Sequence, residues 1–216
     1  MAKKTLLLLH GFLSSAQSTK ARYLGERFEA LSSQAAFHAV DFNPTARDFA
    51  YMTITGRVDR LRQYVLDRRI AEMSLVGSSL GGLTALHYAH RFGGVQRMLL
   101  LAPALSWSSG GFSQEELARW EEAGALPLFH PAFEKEIPLR YDLQIDGRRY
   151  REPIPPSAPV TIIHGRDDET VPISRSRAYA SSFPGEVRLV EVSADHDLNR
   201  HLGLIWEYVQ SFLLER

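Results

Sequence analysis

Seven residues constrain this chain more than any others: Val76-Gly77-Ser78-Ser79-Leu80-Gly81-Gly82. An apolar run from Met73 to Val76 leads into them, and Leu83, Leu86, Ala89 and Phe92 lead out at helical spacing. Strand, sharp turn and helix in that order form the context in which a G-x-S-x-G segment holds its central serine outward on a strained backbone. Gly77 and Gly81 keep the bend open, because a Cβ at either would crowd the approach of strand to helix. Such a pattern arises by chance in roughly 0.07 of chains this long, so it acquires meaning only if partner residues follow it.

The rest of the chain alternates strand-like and helix-like patterns. Thr5 to Leu9 is a continuous apolar run, as in a strand covered on both faces, and it ends in His10-Gly11-Phe12-Leu13-Ser14-Ser15. Ala21, Leu24, Phe28 and Leu31 recur at helical spacing; Ala35 to Val40 reads as a strand leaving through Asp41-Phe42-Asn43-Pro44. Val58, Leu61, Val65 and Ile70 mark a second helix, and its arginines (Arg57, Arg60, Arg62, Arg68, Arg69) read as a solvated face. After the Ser79 turn comes a strand from Met98 to Leu101. The rhythm then breaks between about 105 and 157, where Gly110-Gly111, several prolines and one short helical stretch (Ser113 to Ala123) are found. Strands at Val160 to Ile163 and Val187 to Val192 follow, with a helix around Ser174 to Ser182 between them. A closing helix carries Leu198, Leu202, Ile205, Trp206, Val209, Phe212 and Leu213. Strands alternating with helices predict an α/β fold: a mostly parallel sheet of about six strands with helices on both faces. The whole chain, 1–216, reads as one domain with an insertion at about 105–157.

Composition narrows the partners. Lys+Arg and Asp+Glu both number 25, which gives nothing to attract nucleic acid or an anionic membrane. The absence of cysteine excludes disulfides, cysteine nucleophiles and thiolate metal sites, and fits a cytoplasmic location. The four leucines Leu6 to Leu9 are too short for a signal peptide, whose apolar stretch needs ~7–15 residues. No run approaches the ~20 apolar residues that span a bilayer.

A serine hydroxyl is a poor nucleophile at neutral pH unless a base takes its proton and a third group orients that base. In an open α/β sheet such groups belong in loops at the carboxyl ends of strands. Ser79, Asp168 and His196 each follow a predicted strand, in the chain order that accompanies a G-x-S-x-G nucleophile. Asp167 and Glu169 are rivals to Asp168, and His201 is a rival to His196. His10 and His164, each before a glycine at a strand end, read as loop-shaping residues bonded to nearby backbone. The histidines form no metal-ligand pattern, and the chemistry needs no cofactor.

The segments Leu9-His10-Gly11-Phe12, Gly77-Ser78-Ser79-Leu80-Gly81-Gly82 and His164-Gly165-Arg166-Asp167-Asp168-Glu169-Thr170-Val171-Pro172 resemble those of the α/β-hydrolases, a likeness extending over nearly the whole chain. The last is similar to that family's H-G-x-x-D-x-x-V-P loop, which places the acid at Asp168, and Asp195-His196 resembles its terminal histidine loop. The doubled serine and the His10 to Ser15 stretch are similar to small bacterial esterases of the YqiA type. The resemblance implies an oxyanion hole made by the backbone N–H groups of Phe12 and Leu80. It also implies that the insertion is a small lid. A leading antiparallel hairpin, usual in the family, is missing from the pattern.

The expectation is therefore a serine hydrolase. A carboxylesterase acting on short- to medium-chain acyl esters through an acyl-enzyme on Ser79 comes first, with a small-molecule ester as its partner and oligomeric state open. A thioesterase, a C–C bond hydrolase or an acyltransferase could use the same triad. A non-catalytic binding protein on the same scaffold is the remaining reading. The apolar residues of the insertion, Trp107, Phe112, Trp120 and Phe133 among them, are expected either to fill a small core or to line a substrate wall.

Overall fold

The structure is a computed structural model and describes residues 4–30, 35–108 and 110–214, with side chains to 211. Six strands, β1 (Lys4–Leu9), β2 (Ala35–Val40), β3 (Met73–Ser78), β4 (Val95–Leu101), β7 (Val160–Gly165) and β8 (Val187–Val192), form one sheet in the order β2-β1-β3-β4-β7-β8. Every neighbouring pair is parallel.

The continuous apolar runs follow from burial on both faces. Successive strand side chains point to opposite sides. Leu7 and Leu9 of β1 therefore join a core with α3 (Ile54–Asp67), α4 (Leu80–Phe92) and α7 (Ser174–Ser182) through Val58, Leu61, Leu86 and Tyr179. Leu6 and Leu8 face the other way, onto Leu24 and Phe28 of α1 (Thr19–Glu29) and Ile205 of α8 (Leu202–Tyr208). All four leucines are at most 2% exposed, each contributing about 1.5–3 kcal/mol of transfer free energy. The closing helix departs from the uniform α-helix expected of its periodicity. It opens with a 3-10 turn at Asn199–His201, and α8 passes into π-helical backbone at Val209–Leu214.

The strand order positions the site. From β1 the chain moves to the sheet edge at β2, then returns past β1 to place β3 on its other side. The carboxyl ends of β1 and β3 are thus neighbours, Leu9 opposite Gly77, with their connections leaving in opposite directions. A crevice at such a reversal is where open parallel sheets bind ligands.

The 105–157 segment is more ordered than its irregular pattern suggests. It contains α5 (Gln114–Ala123), an antiparallel pair β5 (Ala125–His130) and β6 (Lys135–Arg140), and α6 (Asp142–Gly147). Ser113 and Glu116 form a reciprocal capping box at the start of α5, and Gly124 in left-handed conformation ends it. The hairpin escaped sequence reading because each strand carries a proline, normally a sign against pairing. Pro127 and Pro138 stand directly opposite each other, so the missing N–H groups fall at one rung of the ladder. Trp120, Ile137, Leu139 and Leu143 make a third core with Phe49 from α2 (Ala46–Ala50) and with Leu80 and Leu83 of α4. Most of the large apolar groups of this segment pack there, while Phe129 is 58% exposed.

Candidate active site

Ser79 sits between β3 and α4 with φ 52° and ψ −118°, a conformation that costs a non-glycine residue on the order of 1–3 kcal/mol. Neighbouring backbone holds it there. Its N–H donates to Leu101 O at 2.9 Å, and its carbonyl accepts from Gly82 N at 2.8 Å and Ala104 N at 3.1 Å. A Cβ on Gly77 would lie 2.7 Å from the carbonyl oxygen of Gly81, which is why the motif needs glycine on both sides of the turn.

Asp168 follows β7, its side chain fully buried. Its Oδ1 accepts from the backbone N–H of Thr170 (2.9 Å) and Val171 (2.8 Å). Its Oδ2 lies 2.7 Å from Nδ1 of His196 and 3.0 Å from Nε2 of His164. Burial by itself would raise this carboxyl, but hydrogen bonds from His164, His196 and Val171 outweigh it and hold it well below the usual carboxylate range. Of the rival acids, Asp167 is exposed and accepts from Ser193 Oγ at 3.3 Å, and Glu169 is exposed. His201 turns instead to the carbonyl of Ser193 at 3.1 Å.

The structure thus brings Asp168 and His196 into direct contact. Among the described residues Ser79 Oγ makes no hydrogen bond to His196. Such bonds are often long before substrate binds.

The His10-Gly11-Phe12 turn passes over Ser79: a Cβ on Gly11 would stand 3.4 Å from Ser79 Cβ and 4.0 Å from its Oγ. Among the described residues neither the N–H of Phe12 nor that of Leu80 donates to a protein acceptor. His10 shapes this turn as the sequence suggested. Its Nδ1 donates to Gly11 O at 2.8 Å and its Nε2 accepts from Phe42 N–H at 3.1 Å. Burial, with the nearby Arg57 charge, lowers its pKa to about 3, so it stays neutral. The ring of Phe12 rests 5.5 Å from Phe49 and 6.4 Å from Trp107, so the 105–157 segment reaches the turn.

Two residues are more than sequence reading made of them. His164 touches the acid itself as well as backbone, with Ser176 Oγ at 2.7 Å on its other nitrogen. Arg57 is not on a solvated face but only 2% exposed, a correction to the reading of the α3 arginines. The signal was present in the spacing: Ile54, Arg57, Val58, Leu61 and Val65 all lie on the buried stripe of the helix.

A family model, the uncharacterised protein family UPF0227, matches residues 5–212. The chain belongs to UPF0227. No curated protein matches it significantly. Among solved structures, this UPF0227 chain is similar to a putative hydrolase from Agrobacterium vitis S4 (TM-score 0.80, 23% identity, 98% of this chain and 88% of that one). It is also similar to mouse alpha/beta hydrolase domain-containing protein 10 (0.77, 23%, 97% and 90%). A third is Est1E from Butyrivibrio proteoclasticus, there with ferulic acid bound (0.73, 19%, 98% and 88%). With the all-parallel six-stranded sheet, these likenesses show that the UPF0227 chain has the α/β-hydrolase fold. Among the described residues no helix is long and apolar enough to cross a membrane.

Proposed function

We propose that this chain is a cytoplasmic serine carboxylesterase acting on short- to medium-chain acyl esters. The observation that carries the reading is the 2.7 Å contact between His196 Nδ1 and buried Asp168, at the same sheet end as a serine held at positive φ. Asp168 fixes the imidazole so that Nε2 is presented as base. Ser79 Oγ attacks the ester carbonyl while His196 takes its proton, and the carbonyl oxygen, now negative, is received by the N–H groups of Phe12 and Leu80. The tetrahedral adduct collapses as His196 protonates the departing alcohol. Water, deprotonated by His196, then attacks the acyl-Ser79 ester and releases the acid. No cofactor enters this scheme.

The test is hydrolysis of p-nitrophenyl esters of increasing acyl length, with organophosphonate labelling of the protein. Turnover and labelling in the wild type, both lost in Ser79→Ala, support the reading. A wild type that neither turns over any ester nor takes the label overturns it.

A further inference from the structure

Arg57 makes three contacts that together span the site. Its Nη2 donates to the carbonyl of His10, at the start of the turn that carries the Phe12 N–H. Its Nε donates to Thr84 Oγ1 at 3.3 Å, and Thr84 Oγ1 in turn donates to the carbonyl of Leu80 at 3.0 Å. The face of the guanidinium lies 4.0 Å from the centre of the Phe42 ring. One side chain thereby links, from within the protein, the two segments whose amide groups are left without acceptors.

The chemistry of this clamp is unusual for a purely structural one. Two neutral oxygens could be held as well by a neutral donor, yet the group here is a cation. Among the described residues no carboxylate is paired with it, and its Nη1 is buried without any hydrogen-bond partner. Burial lowers its pKa to about 9, which leaves it charged at neutral pH. His10, the titratable neighbour on the turn, is neutral and supplies no counter-charge. Burying a charge without its partner costs stability, and proteins keep such costs where function repays them. The counter-charge that the site lacks at rest is the oxyanion that forms in the reaction. In a dry interior a fixed cation behind that oxygen favours the charged state more than the neutral substrate.

We propose that Arg57 is a positioning residue of the oxyanion hole, locking the Phe12 and Leu80 segments in register and placing a buried positive charge behind them. The proposal rests on the esterase reading above. It concerns a residue whose own atoms do not meet the substrate, so its effect belongs to the transition state and not to ground-state binding.

The experiment compares wild type, Arg57→Met and Arg57→Lys. Organophosphonate labelling of Ser79 comes first; an unlabelled, inactive wild type sinks the esterase reading itself, separately from the role of Arg57. With labelling established, kcat and KM are measured on p-nitrophenyl butyrate, and affinity for a phenylboronic acid, which forms a tetrahedral anionic adduct on serine. Arg57→Met should lower kcat ~10–100-fold with KM within about twofold, and weaken the boronate by a factor similar to that in kcat/KM. Arg57→Lys should recover part of both losses, and the melting temperature of Arg57→Met should stay level or rise. Wild-type kcat and boronate affinity in a folded Arg57→Met, or a loss confined to KM, overturn the proposal. Should Arg57→Met fail to fold, Thr84→Val decides. That change cuts the link from Arg57 to Leu80, and a several-fold loss in kcat and boronate affinity together supports the proposal, whereas no change in either overturns it.

Discussion

Gly81 and Leu9 meet backbone to backbone: a Cβ on Gly81 would stand 2.0 Å from the carbonyl oxygen of Leu9. The elbow helix α4 is thus pressed against the end of β1, and this contact sets the depth at which Ser79 lies beside the His10-Gly11-Phe12 turn.

Gly81→Ala forces backbone apart, and no rotamer can relieve it. The expected loss is about 3 kcal/mol or more in urea unfolding, at the upper end for overpacked sites. Gly203, in α8, is the control, because a Cβ there meets nothing within 4 Å. Gly203→Ala should stabilise by about 0.5–1 kcal/mol through helix propensity and a less flexible unfolded chain. A neutral Gly81→Ala would mean that α4 can slide away from β1.

Asp168→Asn keeps the shape of the acid and removes its charge. On the proposed mechanism, kcat should fall about 10⁴-fold because the amide can present an N–H to His196 and favour the wrong tautomer. A pre-steady-state measurement should show the loss in acylation of Ser79. Retention of most activity would point to another acid, with Asp167 and Glu169 the adjacent candidates.

His164→Leu tests the second imidazole on the same carboxylate. Its Nε2 lies 3.0 Å from Asp168 Oδ2, and a hydrogen bond to a charged group is worth about 1.5–3 kcal/mol. If that is felt in the transition state, kcat falls ~10–100-fold with KM little changed. An unaltered kcat would leave His164 as a loop-shaping residue alone.

Acid should weaken the fold through its buried neutral histidines. His87 lies against Tyr150 with rings 4.6 Å apart, and burial, helped by Arg91, lowers its pKa from 6.5 to about 4. Between those two values the unfolded chain holds a proton that the folded protein does not. Stability therefore falls as pH falls across that window, by about 1.4 kcal/mol per pH unit for one such group, and is unaffected by it above 6.5. Urea unfolding at several pH values should give a shallower slope for His87→Leu than for wild type. Equal slopes would show that His87 is protonated in the folded state.

The 105–157 segment depends on Trp120, which is fully buried, donates from Nε1 to Leu139 O at 2.8 Å and packs edge-on against Phe112 and Tyr141. Trp120→Ala should cost about 3–5 kcal/mol. Hydrogen exchange should then accelerate in α5, β5 and β6 while β1 and β3 stay protected, because local openings follow local packing. Uniform loss of protection would show that the segment and the sheet unfold as one.

What was legible in the sequence was whatever depends on short-range spacing. Thr5 to Leu9 read as a doubly covered strand because four consecutive leucines suit only an element buried on both faces. The turn around Ser79 read correctly because its glycines answer to steric limits within a few residues of themselves. The contact of Asp168 with His196 was expected from chain order and loop resemblance, although spacing alone could not separate Asp168 from Asp167 and Glu169.

Tertiary structure decided the rest, for reasons that spacing cannot carry. The β5–β6 pair sets Pro127 opposite Pro138 across the ladder, a relation between two strands and not within either. An arginine on an amphipathic helix reads as a solvated charge; the burial of Arg57 depends on the His10 carbonyl and the Phe42 ring, supplied by loops outside its own helix. A sequence states which groups repeat along one element. Which groups from separate elements close on the same point is settled only when the sheet orders its strands, and here that order sets β1 beside β3 and the turn at His10 beside Ser79.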